Sequence, residues 1–363
     1  MDVYEKRMTT TLELLTNATG DIGFATTIPS ARDTIPIDDW LWDPVTWSWW
    51  EILQAVFAAI GLAGNLLVMA VLFQRRTTRK SADALIGALA AADFMTSLFM
   101  IPHREPQTVP DTLIGHLACK VLLSSVFMWV SVMASVFTLT AISVERFIAV
   151  VYPLYAKRYL TTRRTITTVI IIWVCCAIIN CQSFVVTSVD PSTRNCIVRY
   201  KSMVSQKIFG ICVFLLLFVI PTSIMLLSQI LIARELQRQS VRFADDQRTD
   251  PSSPAYNILR AKKRVVRLLL IVVSMYIICW APDHIAFLAF NLHLLDVSFL
   301  YSPLYHGLVV LAFFNSCVNP IIYGVNYPEF RKALRETFWE SSSSIQRASL
   351  FAPDTSHTTS SRA

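Results

Sequence analysis

Seven long stretches with little or no charge divide this chain, and no other feature narrows its fold as much. Residues 52–73, 121–144, 165–189 and 208–233 contain no charged side chain. Residues 84–102 are interrupted only by Asp93, and 268–292 only by Asp283 and His284. Residues 297–328 carry no formal charge. A helix needs about 20 residues to cross a hydrocarbon core of about 30 Å, and every stretch is about that long or longer. Lipid offers no hydrogen bonds, so the backbone must pair within each segment, and helices are expected. The expected fold is an all-α membrane protein, a seven-transmembrane helix bundle. Only 16% of the residues are charged, against about a quarter in soluble domains, and they gather between the apolar stretches.

Seven crossings put the two termini on opposite sides, and basic residues indicate which side is cytoplasmic. Three connections hold seventeen basic residues: Arg75, Arg76, Arg79 and Lys80; Lys157, Arg158, Arg163 and Arg164; and nine from Arg234 to Arg267. The other three hold six: Arg104, Lys120, Arg194, Arg199, Lys201 and Lys207. The N-terminus is therefore expected outside and the C-terminus in the cytoplasm. Asn17-Ala18-Thr19, a glycosylation sequon at Asn17, agrees. So does the acidic balance of the first 50 residues, eight acids against three bases. The first helix is expected to act as its own anchor.

The domain layout follows: a tail at 1–50, the bundle at 51–326, a short amphipathic helix at 327–340 and a disordered tail at 341–363. The amphipathic helix rests on Phe330, Leu334 and Phe338 at four-residue spacing, with Arg331, Lys332 and Arg335 between them. Between the fifth and sixth helices, about 237–259, the polar stretch around Pro251-Ser252-Ser253-Pro254 reads as a flexible loop between helix extensions. The net charge of +7 does not imply nucleic acid, because the bases lie at the ends of apolar stretches. Cys175, Cys176, Cys181, Cys212, Cys279 and Cys317 fall within those stretches, where a small buried side chain is the simplest role. Cys119 and Cys196 alone fall at their edges.

Polar residues inside membrane helices mark function. Asp93 sits mid-helix without a basic partner at its depth. It is either held neutral by polar neighbours or ionised beside a hydrated sodium ion, with Ser135, Asn315, Ser316 and Asn319 as further oxygen donors. No other cofactor is expected. Glu145-Arg146 closes the third helix, as a snorkelling interface pair or as a guanidinium kept for a partner protein. Pro221, Pro282 and Pro320 each interrupt a helix and free carbonyls.

In order along the chain, Gly64-Asn65, Leu89-Ala90-Ala91-Ala92-Asp93, Glu145-Arg146-Phe147, Trp173, Cys279-Trp280-Ala281-Pro282 and Asn319-Pro320-Ile321-Ile322-Tyr323 resemble the signatures of rhodopsin-like (class A) G-protein-coupled receptors. The likeness runs from Gly61 to Trp339. It implies that Trp280 and Pro282 form a switch beneath a ligand and that Asn319, Pro320 and Tyr323 rearrange on activation. Glu145 and Arg146 would meet a heterotrimeric G protein when the sixth helix swings out. Cys119 and Cys196 would form a disulfide. Four departures stand out. Cys119 precedes Arg146 by two residues more than usual, so the upper third helix is expected to be bulged or shifted. Leu113-Ile114-Gly115 replaces the usual Trp-x-Phe-Gly. Gln229 replaces a fifth-helix tyrosine. Lys262 replaces an acid that pairs with the helix 3 arginine in some members, so raised basal activity is expected. No cysteine follows Cys317 to carry a palmitoyl anchor.

The ligand class follows by exclusion. Residues 112–144 contain no acid to pair with an amine, and no lysine between Leu300 and Tyr323 could bind retinal. The N-terminal tail is too short for a leucine-rich hormone-binding domain. A short extracellular neuropeptide remains the best expectation, since 143–155 and 319–330, with Asn326 and Phe330 in place, look like those of neuropeptide receptors. His103, Arg104, Glu105, Asp283, His284, Asn291 and His306 are candidate polar contacts; Met128, Trp129, Phe287 and Phe290 are apolar ones. Asp283 and His284 could equally bond each other, and His306 could be an interhelical histidine. A lipid or small organic ligand is the first alternative, with Arg104 as carboxylate anchor. A seven-span transporter or channel is the second, but it would show repeated halves, and none is seen. No nucleophile–base set points to an enzyme. The Ser/Thr-rich tail from Ser341 either solvates or is phosphorylated by receptor kinases to recruit arrestin.

Overall fold

The computed structural model describes residues 40–42, 47–74, 81–104, 106–245, 254–326, 330–331 and 334–335. Asn17, Glu105, the basic run from Arg75 to Lys80, Arg248, Phe338 and the Ser/Thr-rich tail lie outside them. Seven helices long and apolar enough to cross a membrane occur among the described residues. They are Trp49–Phe73, Ser81–Phe99, Leu113–Val151, Thr162–Val186, Met203–Val241, Lys262–Asn291 and Pro303–Val325, called here the first to seventh spans.

The spans turn the usual pattern of burial around. Large apolar residues such as Leu66, Ile170, Ile171, Val174, Ile178, Leu227 and Ile278 are exposed on their outer faces. Asn65, Asp93, Ser97, Ser135, Asn315, Ser316 and Asn319 are buried between them. Lipid-facing aliphatic surfaces with a polar interior are what a bilayer solvent selects. The third span lies centrally, packing against the second, fourth and fifth, and the seventh closes the bundle against the first, second and sixth. Small residues allow the first span its close approach. A Cβ on Gly64 would lie 2.9 Å from the Pro320 ring, and one on Gly61 would overlap Ser97 Oγ.

Several boundaries differ from the uncharged stretches, for local reasons. The third span begins at Leu113, capped by Thr112, whose side chain accepts from the Gly115 amide. It then passes through a π-helical turn, Cys119–Leu123, and Ser125 adopts the left-handed conformation at φ 52° before Val126–Val151 continues. Wide turns absorb extra residues. The surplus between Cys119 and Arg146 is accommodated there, as a bulge. At the far end of the fourth span, regular helix stops at Asn180, and Thr187–Val189 form strand β3, not helix. Absence of charge does not separate a lipid-facing helix from an adjoining buried strand. The stretch beginning at 297 opens with a 3-10 turn, Val297–Tyr301, and the seventh helix starts at Pro303, where a missing N–H costs nothing.

The fifth span carries a second π turn, Leu215–Val219, directly before Pro221. Proline withholds the N–H that the carbonyl four residues earlier would accept. That carbonyl, on Leu217, is taken by the Tyr276 hydroxyl from the sixth span. Beyond Gln237, helix persists to Asp245 and resumes at Pro254, so the polar connection is shorter than expected. Phe330, Arg331, Leu334 and Arg335 are helical, with Phe330 buried.

Candidate functional site

At the centre of the bundle, Asp93 receives hydrogen bonds from Ser135 Oγ at 2.7 Å and Asn319 Nδ2 at 2.8 Å. Asn65 Nδ2 donates to the carbonyls of Gly61 and Ser316, both at 2.9 Å, tying the first span to the seventh. The carbonyl oxygens of Asn315 and Asn319, the Trp280 indole N–H and Thr138 Oγ1 are sealed from solvent without a protein partner. Buried orphans of this kind call for water or an ion. The donor set around Asp93 is all oxygen and carries one carboxylate, which suits a hydrated monovalent cation. Among the described residues no cluster of His, Cys, Asp and Glu fits a transition metal.

At one end of the bundle, Cys119 and Cys196 form a disulfide with Cα atoms 5.6 Å apart. It joins the bulge of the third span to β4 (Cys196–Val198), which pairs antiparallel with β3. β1 (Leu41–Trp42) pairs with β2 (Pro106–Thr108), and Trp40 packs over the disulfide with Val109, Val189 and Leu123. Arg194 fastens the two strand pairs to each other. Its carbonyl accepts from the Val109 amide at 2.8 Å, and its guanidinium lies 2.9 Å from Asp111, which His116 also meets at 2.9 Å. Asp190 turns the β3–β4 connection by accepting from the Ser192 amide and hydroxyl, and those bonds hold its carboxyl below the ordinary range. Neither Asp111 nor Trp40 stood out in the sequence. Both act through partners dozens of residues away, with no periodic signal.

The candidate ligand residues divide into groups. His103 and Arg104 are exposed on the connection after the second span. Met128 is buried, while Trp129 is 36% exposed and makes no ring contact among the described residues. His306 stacks on Trp50 of the first span, centroids 4.6 Å apart and planes 6° from parallel. The structure brings together Trp280, Asp283, His284 and Phe287 on the sixth span. His284 is buried between Trp280 at 5.4 Å and Phe218 at 5.5 Å, and Phe287 meets Phe209 edge-on at 6.2 Å. No hydrogen bond joins Asp283 to His284. Asn291 is buried against Gly210, its amide donating to the Phe287 carbonyl.

At the opposite end, Arg146 Nε lies 2.6 Å from Glu145 Oε2, and Ser81 Oγ donates to Glu145 Oε1 at 2.9 Å. Glu145 is the one ion-pair partner of Arg146 among the described residues. A mostly apolar cavity of about 60 Å³ adjoins the pair, lined by Leu85, Leu139, Leu268, Tyr323 and Phe330. On the fifth span the Gln229 amide is buried, with neither polar atom bonded. A charge pair thus stands at one end of a proline-kinked bundle and a group of polar and aromatic side chains toward the other, with the polar interior around Asp93 between them.

A family model described as seven transmembrane receptor (rhodopsin family) matches residues 64–323. Galanin receptor 2a of Danio rerio is 27% identical over 300 residues, covering 79% of this chain and 78% of its own length. Bombesin receptor subtype-3 of Ovis aries is 29% identical over 286 residues, with 74% and 69% covered. Neuropeptide FF receptor 1 of Rattus norvegicus is 29% identical over 302 residues, with 76% and 67% covered.

Proposed function

The chain belongs to the rhodopsin family of seven transmembrane receptors, a G-protein-coupled receptor and not a transporter or channel, and we propose that its ligand is a short extracellular peptide. The observation that carries this reading is the mixed set of side chains on the sixth span toward the disulfide end: one buried carboxylate, one buried imidazole and the aromatic rings around them. A peptide offers amide, charged and aromatic groups together, and such a set answers all three. The names of the matched relatives, which include galanin, bombesin and neuropeptide FF receptors, agree in class.

In this reading the disulfide end and the Asn17 sequon face outside at the plasma membrane, and the Arg146 end faces the G protein. Ligand contact at the Trp280 level shifts the sixth span at Pro282, and Arg146 leaves Glu145 for the G protein as the cleft opens. Ser135, Asn315, Ser316 and Asn319 would hold a sodium ion against Asp93, supplying fixed positive charge that favours the closed arrangement. Kinases and arrestin act on the Ser/Thr-rich tail.

Calcium release in cells expressing the chain with a promiscuous G protein, screened against amidated neuropeptides and separately against lipids, tests the reading. A saturable peptide response that Arg146→Ala abolishes is expected. Response to a lipid alone, with silence toward peptides, would overturn the ligand class and leave the receptor family standing.

A further inference from the structure

Every described acid at the disulfide end has its oxygens engaged except one. Glu51 accepts from the Ser48 amide at 2.7 Å, Asp111 holds Arg194, and Asp190 and Asp296 each accept from a backbone N–H two residues on. Asp283 has no hydrogen bond and no ion pair among the described residues, although it is only 6% exposed. The basic side chains at this end are placed elsewhere. Arg194 is bound to Asp111, Lys120 sits half-buried in the π turn of the third span, and Arg104, Arg199, Lys201 and Lys207 are exposed.

A carboxylate set this deep in a membrane protein without a counter-charge is among the most expensive groups such an interior can hold, and the Asp283 oxygens, unlike those of Asn315 and Asn319, are not sealed from solvent. A neutral donor would satisfy a lone pair and leave the charge uncompensated. Along the sixth span, Trp280 lies three residues before Asp283 and Phe287 four after, so both share its helix face, one turn below and one turn above. An anionic group flanked by aromatic rings on one face is the arrangement that takes an organic cation, by charge and by cation–π attraction. A metal ion would need further acidic or imidazole ligands in a cluster, which the described residues lack.

We propose that Asp283 is the charge-reading contact for the ligand, pairing with an ammonium or guanidinium group on it. This rests on the receptor reading for its biological role, but the cation site stands on its own geometry.

The test uses the full-length receptor in lipid nanodiscs and small probes that need no knowledge of the natural ligand. Phenethylguanidine and phenethylamine are compared with neutral phenethylurea at about 10 mM, near saturation for a fragment of about 1 mM affinity. Either cation is expected to raise the melting temperature by about 2 °C or more over the urea. Asp283→Asn should abolish that difference and Asp283→Glu should retain most of it; a guanidinium-only response assigns an arginine-like group, an ammonium-only response a lysine-like or N-terminal amine. Equal shifts with cation and urea, or a cation shift that persists in Asp283→Asn, would overturn the site. A signalling assay run alongside keeps the two ideas apart: cation binding lost in Asp283→Asn supports the site even where the peptide screen is silent.

Discussion

The Tyr276 hydroxyl of the sixth span donates its hydrogen bond to the Leu217 carbonyl of the fifth. Pro221 explains why that carbonyl is available, since it has no N–H to return to it. Tyr276 is fully buried, so the bond crosses between two helices in an interior closed to solvent. An interhelical hydrogen bond in a membrane protein is worth about 0.6 kcal/mol on average. If the sixth span moves away from the fifth on activation, Tyr276→Phe removes that amount from the closed state alone. Basal signalling should rise about threefold, with ligand-saturated signalling unchanged. Unchanged basal signalling at equal surface expression would mean that the bond survives activation.

The Asp93 cluster makes a second expectation. Both carboxylate oxygens are engaged by protein donors, and the Asn315 and Asn319 carbonyl oxygens remain unpaired beside them. An ion that binds only this closed arrangement stabilises it by about 1.4 kcal/mol at ten times its dissociation constant. Replacing sodium with N-methylglucamine should therefore lower the melting temperature of the parent and leave Asp93→Asn unaffected. Equal responses of parent and variant to the exchange would remove sodium from the account.

Much of this arrangement was legible in the sequence because lipid imposes one rule on every span. Uncharged length located seven helices, Asp93, Asn319 and Arg146 stood out against that background, and Trp280 came from the resemblance to the receptor signatures. The bulge near Cys119 was also readable, as a two-residue surplus, although its form was not. What stayed hidden depends on contacts between distant segments. β3 has the same uncharged composition as the helix before it, so Thr187–Val189 looked like more membrane. The stacking of His306 on Trp50 and the clamp of Asp111 on Arg194 arise only when loops and helix ends meet. Spacing along one chain carries no trace of such pairs.

The β3–β4 turn should resist acid. Bonds from the Ser192 amide and hydroxyl hold the Asp190 carboxyl below its ordinary value. A depressed folded value means the stabilisation is fully present above the unfolded value of about 3.9 and is lost only as pH falls through the folded one. Protection of the Ser192 amide from hydrogen exchange should thus stay constant from about pH 7 to about pH 5. Asp190→Ala should remove it across the whole range. Protection that declines over that interval in the parent would overturn this account of the turn.

The Arg146 end sets the last expectation. Glu145 holds Arg146 at 2.6 Å and is itself oriented by Ser81 at 2.9 Å, so two residues from two spans fix the guanidinium. Lys262, half-buried on the sixth span, adds a positive charge where an acid would draw the sixth span toward Arg146. Restoring an acid by Lys262→Glu exchanges repulsion for attraction across the two spans. A partly exposed pair of this kind contributes up to about 1 kcal/mol, so basal signalling should fall by up to about fivefold. Ser81→Ala should act the other way, freeing Glu145 to turn from Arg146 and raising basal signalling by a smaller factor. Both are read in cells without ligand, at matched surface expression. Equal basal signalling in Lys262→Glu and the parent would show that the sixth span is held by its packing and by Tyr276 alone, with charge at this end playing no part.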